Sequence, residues 1–164
     1  MGYGYNYKCS KCKKEYSVHM GIGMRFPNTY MQLMNSIANG EYGPAWKALL
    51  NSQKYVAVNA EKDVYICRHC GHWETEYVLD LYVPKIPEHI HNKQYGVKTV
   101  AEWGYVPYVT SYDLAEDYVL LKHLVHKCPN CGRRTHKGKK TELQELSCPK
   151  CGKNNKINSY IHWD

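Results

Sequence analysis

The cysteines constrain this chain more than any other feature. All eight occur in four Cys-x-x-Cys pairs and none is left over: Cys9/Cys12, Cys67/Cys70, Cys128/Cys131 and Cys148/Cys151. A Cys-x-x-Cys turn places two sulfur atoms on one side of a tight loop, which suits two corners of a metal tetrahedron. Because two such turns complete a four-thiolate shell, the sequence predicts two metal sites, each with four of these cysteines as ligands.

The residues around the cysteines are typical of metal-binding turns. Glycine follows three of the four pairs, at Gly71, Gly132 and Gly152, where it tolerates a positive φ and lets backbone N–H groups turn toward the sulfurs. Pro129 and Pro149 preset the first turn residue of the last two pairs. These turns resemble the knuckles of the zinc-ribbon superfamily. The whole chain is also similar to small zinc-ribbon proteins of bacteria and their phages, whose roles are unassigned.

The spacing of the turns indicates which of them share a metal ion. Cys128–Cys151 has the spacing Cys-x2-Cys-x16-Cys-x2-Cys of a ribbon, and Cys9–Cys70 resembles a ribbon whose knuckles are separated by 54 residues. Sequential pairing closes shorter loops than the nested alternative, in which Cys9/Cys12 joins Cys148/Cys151. We therefore predict sequential pairing and keep the nested arrangement as the alternative.

Other uses of eight cysteines fit less well. Disulfides would suit an exported chain, but no apolar signal segment follows Met1 and the cysteines lie in metal-type turns. A redox dithiol needs one reactive pair, not four similar ones. Iron accepts the same ligands, but the chain offers no other redox apparatus, so we predict two Zn²⁺ per chain. Four thiolates close the coordination shell, and we expect both ions to be structural.

The rest of the chain predicts an α+β fold of two zinc-ribbon modules built on small antiparallel sheets. Residues 1–84 are predicted to form the first ribbon with an inserted helical hairpin, 85–118 a linker and tyrosine-rich segment, and 119–164 a C-terminal basic ribbon. The hairpin is indicated by apolar residues at helical spacing, which predict helices over Asn28–Asn39 and Pro44–Ser52.

Three further features have ordinary interpretations. Gly21–Pro27 could cradle an anion, but it lacks the remaining residues of a dinucleotide loop or a P-loop, so a glycine-rich crossover is preferred. His89 and His91 are predicted to be solvated loop residues. The methionines of the first half are predicted to fill a core; they are Met20, Met24, Met31 and Met34.

Positive charge is concentrated near the C-terminus. The formal charge of the chain is +7, and residues 122–156 hold ten Lys/Arg against two acids. The segment Arg133–Ser147 is predicted to be a hairpin with a basic tip. Such a tip can neutralise phosphates, and its candidate nucleic-acid-binding residues are Arg133, Arg134, Lys137, Lys139 and Lys140.

These patterns predict a non-enzymatic protein, a nucleic-acid-binding or adaptor module acting through its basic ribbon on nucleic acid or an acidic protein surface. No Cys remains to serve as a nucleophile, and no serine lies in a nucleophile turn. The alternative is a protein-docking or inhibitory factor that uses the tyrosine-rich middle segment, with zinc purely structural. A lysine-rich tip that only aids solubility is a third interpretation. Reduced cysteines and zinc indicate a cytoplasmic location. The lack of an 18-residue apolar run indicates that no segment spans a membrane.

Overall fold

The computed structural model describes residues 2–24 and 26–163 and confirms the α+β class. In chain order the strands are β1 (Gly2–Lys8), β2 (Glu15–Met20), β3 (Ala57–Val58), β4 (Lys62–Ile66), β5 (Trp73–Tyr77), β6 (Leu81–Pro84), β7 (Gln94–Tyr95), β8 (Lys98–Thr99), β9 (Tyr118–Lys122), β10 (His136–Lys137), β11 (Glu145–Ser147) and β12 (Asn154–Trp163). The helices are α1 (Phe26–Asn39), α2 (Pro44–Leu50), α3 (Pro87–Asn92), α4 (Val100–Trp103), α5 (Ser111–Asp117) and α6 (Lys140–Leu143).

The chain divides into two compact units, neither of which is contiguous in sequence. Unit 1 comprises Met1–Met24, Lys62–Tyr77 and Val125–Asp164, whereas unit 2 comprises Arg25–Glu61 and Val78–Leu124. This division differs from the predicted one.

The predicted boundaries after residues 84 and 118 both lie inside unit 2. The segment 85–118, expected to be a linker, contains α3, α4 and α5 and buries Ile90, Val100 and Leu114. Its proline at position 87 starts α3 instead of marking a boundary.

Unit 1 contains a four-stranded sheet in which the two ends of the chain are neighbours. The strand order is β11-β12-β1-β2, and β1 pairs antiparallel with β12 so that Gly2 lies opposite Trp163. A second sheet has the order β10-β4-β5, and a bridge between Gly21 and Lys62 links β2 to β4. The framework of unit 1 is therefore assembled from the first, middle and last parts of the sequence.

The glycines of β1 make room for the last strand. A Cβ added to Gly2 would lie 2.2 Å from the ring of Trp163. A Cβ added to Gly4 would lie 2.1 Å from the carbonyl oxygen of Val18 and 3.0 Å from Cγ1 of Ile161. Glycine is required here because neighbouring strands approach closely.

The core of unit 1 is built on tyrosines whose hydroxyls are hydrogen-bonded. Tyr7 and Tyr16 stack at 5.1 Å between ring centroids. The Tyr7 hydroxyl donates to the carbonyl of Leu143 and the Tyr16 hydroxyl to that of Leu146, both at 2.7 Å. Burial raises the pKa of Tyr7, which keeps this hydroxyl protonated as a donor.

The basic segment Arg133–Ser147 does not form the predicted hairpin. Its first part pairs with β4 through β10, with His136 opposite Ile66, and its last part pairs with β12 through β11. Gly138 crosses close to β4 and donates its N–H to the carbonyl of Val64 at 2.7 Å. The two arms therefore belong to different sheets.

Unit 2 packs helices on a three-stranded sheet of order β3-β6-β9. The predicted helical hairpin is present as α1 and α2, and α1 buries Tyr30, Leu33 and Ile37. The indole N–H of Trp46 on α2 donates to the carbonyl of Leu79. Gln94–Tyr95 pairs with Lys98–Thr99 as a separate two-stranded ribbon.

No helix among the described residues is long and apolar enough to span a bilayer.

The close approach at Gly4 generates a prediction. Gly4→Ala should destabilise unit 1 by roughly 1–3 kcal/mol, because its methyl group must displace the backbone of β2 or the side chain of Ile161. Thermal unfolding of the metal-loaded protein measures the loss. Lys8→Ala, in the same strand with a solvent-exposed side chain, should change stability by less than about 1 kcal/mol. Equal midpoints for the two variants would contradict the packing argument.

Candidate metal centres

The eight cysteines come together as two groups of four. The first group contains Cys9, Cys12, Cys148 and Cys151, and the second contains Cys67, Cys70, Cys128 and Cys131. Within each group all sulfur atoms lie within 4.8 Å of one another. The predicted sequential pairing is therefore wrong, and the nested alternative is observed. Both groups lie in unit 1.

The sulfur separations fit a tetrahedral metal site. Sγ of Cys9 lies 3.5 Å from Sγ of Cys151, and Sγ of Cys12 lies 3.6 Å from Sγ of Cys148. In the second group Sγ of Cys67 lies 3.5 Å from Sγ of Cys131, and Sγ of Cys70 lies 3.5 Å from Sγ of Cys128. Metal–sulfur bonds of about 2.3 Å in a regular tetrahedron give sulfur separations of about 3.8 Å. A disulfide would instead require about 2.05 Å, and all eight cysteines are free.

The four knuckles share one backbone conformation. In each, the N–H of the first cysteine donates to the carbonyl five residues later, at 2.8–2.9 Å. The N–H of the fifth residue donates back to the first cysteine's carbonyl at 2.8–3.0 Å. That fifth residue has a φ between 61° and 73° in all four knuckles. It is glycine in three of them and Lys13 in the first, so the first knuckle carries backbone strain that the others avoid.

Backbone N–H donors lower the pKa of Cys9 and Cys67, and they also lower that of Cys148 although its burial acts in the opposite direction. The N–H of Cys12 lies 3.4 Å from Sγ of Cys9 and lowers the pKa of Cys9 to about 6. The N–H of Cys70 similarly lowers the pKa of Cys67 to about 6.

The thiols of Cys12, Cys70 and Cys131 ionise less easily, because burial and the neighbouring thiols raise their pKa. Although the Lys14 backbone N–H lowers the pKa of Cys12, burial and the neighbouring thiols raise it to about 11. A divalent cation would offset the repulsion between neighbouring thiolates, because it stabilises all four of them together. The donor set therefore fits a bound metal ion.

A polar contact not predicted from the sequence joins the two knuckles of the first group. Asn155 is buried, and its side-chain oxygen accepts from the backbone N–H of Ser10 at 2.9 Å. Its amide nitrogen donates to the carbonyl of Lys153 at 2.6 Å. An asparagine inside a strand pattern carried no signal for this role, which depends on the long-range pairing.

The two groups differ in exposure. In the first group two cysteines are buried and two half-buried, whereas in the second Cys70 is exposed. His126, two residues before Cys128 in the sequence, stacks on Tyr65 with 3.7 Å between ring centroids. The second group therefore has one thiol that solvent can reach, at Cys70, whereas the first group has no exposed thiol.

The five predicted nucleic-acid-binding cations are all exposed and all lie in unit 1. Lys137 forms an ion pair with Asp63 at 2.5 Å. The backbone N–H of Lys139 donates to the Glu142 carboxylate at 2.8 Å, and Glu142 also lies 2.8 Å from Nε2 of His136. The Lys139 N–H and His136 hold the pKa of Glu142 below its ordinary value, so this carboxylate remains charged within the basic segment.

The two predicted loop histidines lie in α3, and Nδ1 of His91 is 2.6 Å from the Tyr55 hydroxyl. Neither belongs to a potential metal cluster found among the described residues. In the loop Gly21–Pro27, Gly21 bridges to Lys62, while Arg25 lies outside the described residues. No family model matches this chain, and it has no significant match to a curated protein or a solved structure.

The nested pairing predicts the metal content of paired cysteine variants. Cys9→Ser with Cys148→Ser should retain one metal ion per chain, because both changes remove the same site. Cys9→Ser with Cys67→Ser should retain none. Elemental analysis after gel filtration gives both values. Sequential pairing requires the reverse result, so one comparison decides between the two arrangements.

The strain at Lys13 predicts a stabilising substitution. Lys13→Gly should raise the free energy of unfolding by about 1 kcal/mol, because glycine adopts this φ without the Cβ penalty. Lys13→Ala is the matched control, since it removes the side chain but keeps the strain. Gly132→Ala should lower the free energy of unfolding by a similar amount. The backbone conformation alone would cause this loss, because φ at Gly132 is 71° and the added Cβ would meet nothing within 4 Å. A gain from Lys13→Ala equal to that from glycine would refute the backbone explanation.

Proposed function

We propose that this chain is a non-enzymatic zinc protein whose unit 1 binds nucleic acid through its basic segment. The observation that carries the proposal is a cleft of about 360 Å³, where Lys137 and Lys140 lie beside Tyr3 and Tyr5. A cation next to an aromatic face suits a phosphate joined to a base.

Zinc is the metal that best suits the two centres. Four thiolates in tetrahedral geometry favour zinc or iron, and zinc completes such a shell without redox chemistry. Its binding energy would then stabilise unit 1 directly, since the ligands come from segments far apart in sequence. The zinc ions act structurally and hold the basic segment in place.

The charge distribution supports a polyanionic partner. Unit 1 contains 15 Lys/Arg against seven Asp/Glu, whereas unit 2 contains seven against eight. Two zinc–thiolate centres with a net charge of about −2 each leave unit 1 near +4. Its field therefore attracts phosphates, while unit 2 is close to neutral.

Tyrosines beside the cleft form an aromatic surface on one face of the four-stranded sheet. The register places Tyr3, Tyr5 and the opposite residue Tyr160 on that face. Tyr160 is 68% exposed and contacts Tyr5 edge to face at 5.4 Å. Unpaired bases can stack on an aromatic surface of this kind, which favours single-stranded over double-stranded nucleic acid.

The basic segment provides the central test. Replacing Arg133, Arg134, Lys139 and Lys140 with Gln should weaken binding to single-stranded oligonucleotides and lower the salt slope of log affinity by about 3. Lys137 is left in place so that the variant keeps the ion pair between Lys137 and Asp63. Fluorescence anisotropy over a range of salt concentrations measures both quantities.

A charge-matched variant serves as the control. Changing Lys47, Lys54, Lys98 and Lys122 to Gln removes the same charge from unit 2, and this variant should bind as the parent does. Equal affinities for all three proteins would reject the nucleic-acid function. Metal content and thermal midpoint should stay unchanged in both variants, since exposed charges contribute little to stability.

A protein-docking role is the second candidate, and the exposed aromatics of the middle segment favour it. Tyr112 is 74% exposed, and Trp103 and Tyr105 are also exposed and in mutual contact. Tyr95 and Tyr118 are buried, so only part of the tyrosine-rich segment is available to a partner. This role predicts a complex that survives nuclease treatment and is lost on changing Tyr112 to Ala.

A further inference from the structure

We propose that unit 2 contains a binding site for a small organic anion with an apolar body. The site is a groove of about 520 Å³ beside α1, which we call the α1 groove. Its walls come from α1, the end of α2 and the segments 53–56 and 104–106. This proposal is independent of nucleic-acid binding, which concerns unit 1.

Helix α1 has two apolar faces, and only one of them is used in the core. Tyr30, Leu33 and Ile37 are buried. Met31 and Met34 are half-buried and line the α1 groove, with Ala38 one turn further along. The methionines were expected to fill a core, but these two form the wall of an open cavity. Methionine is flexible and polarisable, which suits a wall that adapts to an apolar ligand.

The dimensions of the α1 groove suit a small molecule. Binding sites for such ligands generally have volumes of about 300–1,000 Å³ and mostly apolar walls with a few polar groups. Here the apolar walls include Leu50 and Val56, and the polar groups include the amides of Asn35 and Gln53. The groove therefore combines an apolar interior with a small number of groups that can orient a ligand.

The charge of the α1 groove identifies the ligand class. Lys54 is the one charged residue among the described residues that line it. The sequence of α1 itself, Phe26–Asn39, contains no Asp, Glu, Lys or Arg. A single cation in an otherwise neutral apolar groove complements a ligand with one carboxylate or sulfonate group.

One wall residue is held in an unfavourable conformation. Tyr55 has a φ of 59°, in the left-handed region that bulky residues rarely adopt. Its hydroxyl lies 2.6 Å from Nδ1 of His91, which fixes the ring in place. Strain of this kind is retained where the surroundings determine the shape of a site. The groove therefore has a fixed wall at Tyr55 and adaptable ones at the methionines.

Two fluorescent dyes test the site on the metal-loaded protein. Anilinonaphthalene sulfonate is an aromatic anion, and N-phenylnaphthylamine is its neutral counterpart. Both should bind saturably with one molecule per chain. Met34→Trp, which fills the groove, should weaken both by at least about tenfold. Gln32→Trp, on the exposed face of the same helix, should leave both affinities unchanged.

The lysine variants separate the anionic preference from simple apolar binding. Lys54→Gln should weaken the sulfonate dye about three- to fivefold, as expected for one exposed ion pair, and leave the neutral dye unchanged. Lys47→Gln, on α2 but outside the groove, is the control. Equal effects of Lys54→Gln on the two dyes would overturn the assignment of an anion. Equal binding by the Met34→Trp and Gln32→Trp proteins would overturn the site itself, and circular dichroism confirms that both remain folded.

Discussion

The joining of the first knuckle to the last is the constraint on which this structure depends. It brings Cys9 and Cys12 to Cys148 and Cys151 and sets the terminal strands β1 and β12 side by side. Loop-closure entropy, which favoured sequential pairing, grows only logarithmically with loop length. The nested arrangement costs roughly 2 kcal/mol more than the sequential one on that basis. A six-pair strand ladder and a buried aromatic core outweigh a difference of this size.

The nested pairing also changes which charges are close together. The lysines of the first knuckle and Lys150 and Lys153 belong to the two knuckles whose cysteines form one group, although more than 130 residues separate them in sequence. A four-thiolate zinc centre would carry a net charge near −2, which these lysines offset. The basic segment Arg133–Ser147 contains none of the eight cysteines, so its charge lies outside both four-cysteine groups. Positive charge at the knuckles and in the basic segment thus lies in two different chemical surroundings.

Local patterns predicted local structure well. The eight ligands followed from the Cys-x-x-Cys turns, and α1 begins two residues before its predicted start and ends where expected. Helices α3 and α4 of segment 85–118 were missed, although Thr99-x-x-Glu102 forms a capping box at α4, as Thr110-x-x-Asp113 does at α5. Those patterns are a readable signal for a helix start. Here the prolines and polar residues of the segment outweighed them.

The pairing of distant segments was harder to predict, because it depends on close contacts between strands that are far apart in the sequence. No local sequence pattern indicates such contacts. Gly2 and Gly4 alternate with tyrosine at the start of the chain, and the bulky Trp163 and Ile161 alternate near its end. Their complementarity becomes apparent only when the two strands are set in register. The basic segment was misread as a hairpin for the same reason, since each of its arms finds a partner in another part of the sequence.

The choice of tyrosine over phenylalanine follows from where the basic segment is anchored. The chain has 16 tyrosines and one phenylalanine. Tyr7 and Tyr16 contribute apolar ring surface to the core, and their hydroxyls satisfy carbonyls of the segment that leads from α6 to the last knuckle. The indole N–H of Trp73 does the same for Ser147 at 2.7 Å. Phenylalanine would leave these buried carbonyls unpaired, at a cost of about 1–3 kcal/mol each. The aromatic core therefore fixes the end of the basic segment to the framework that carries the two four-cysteine groups.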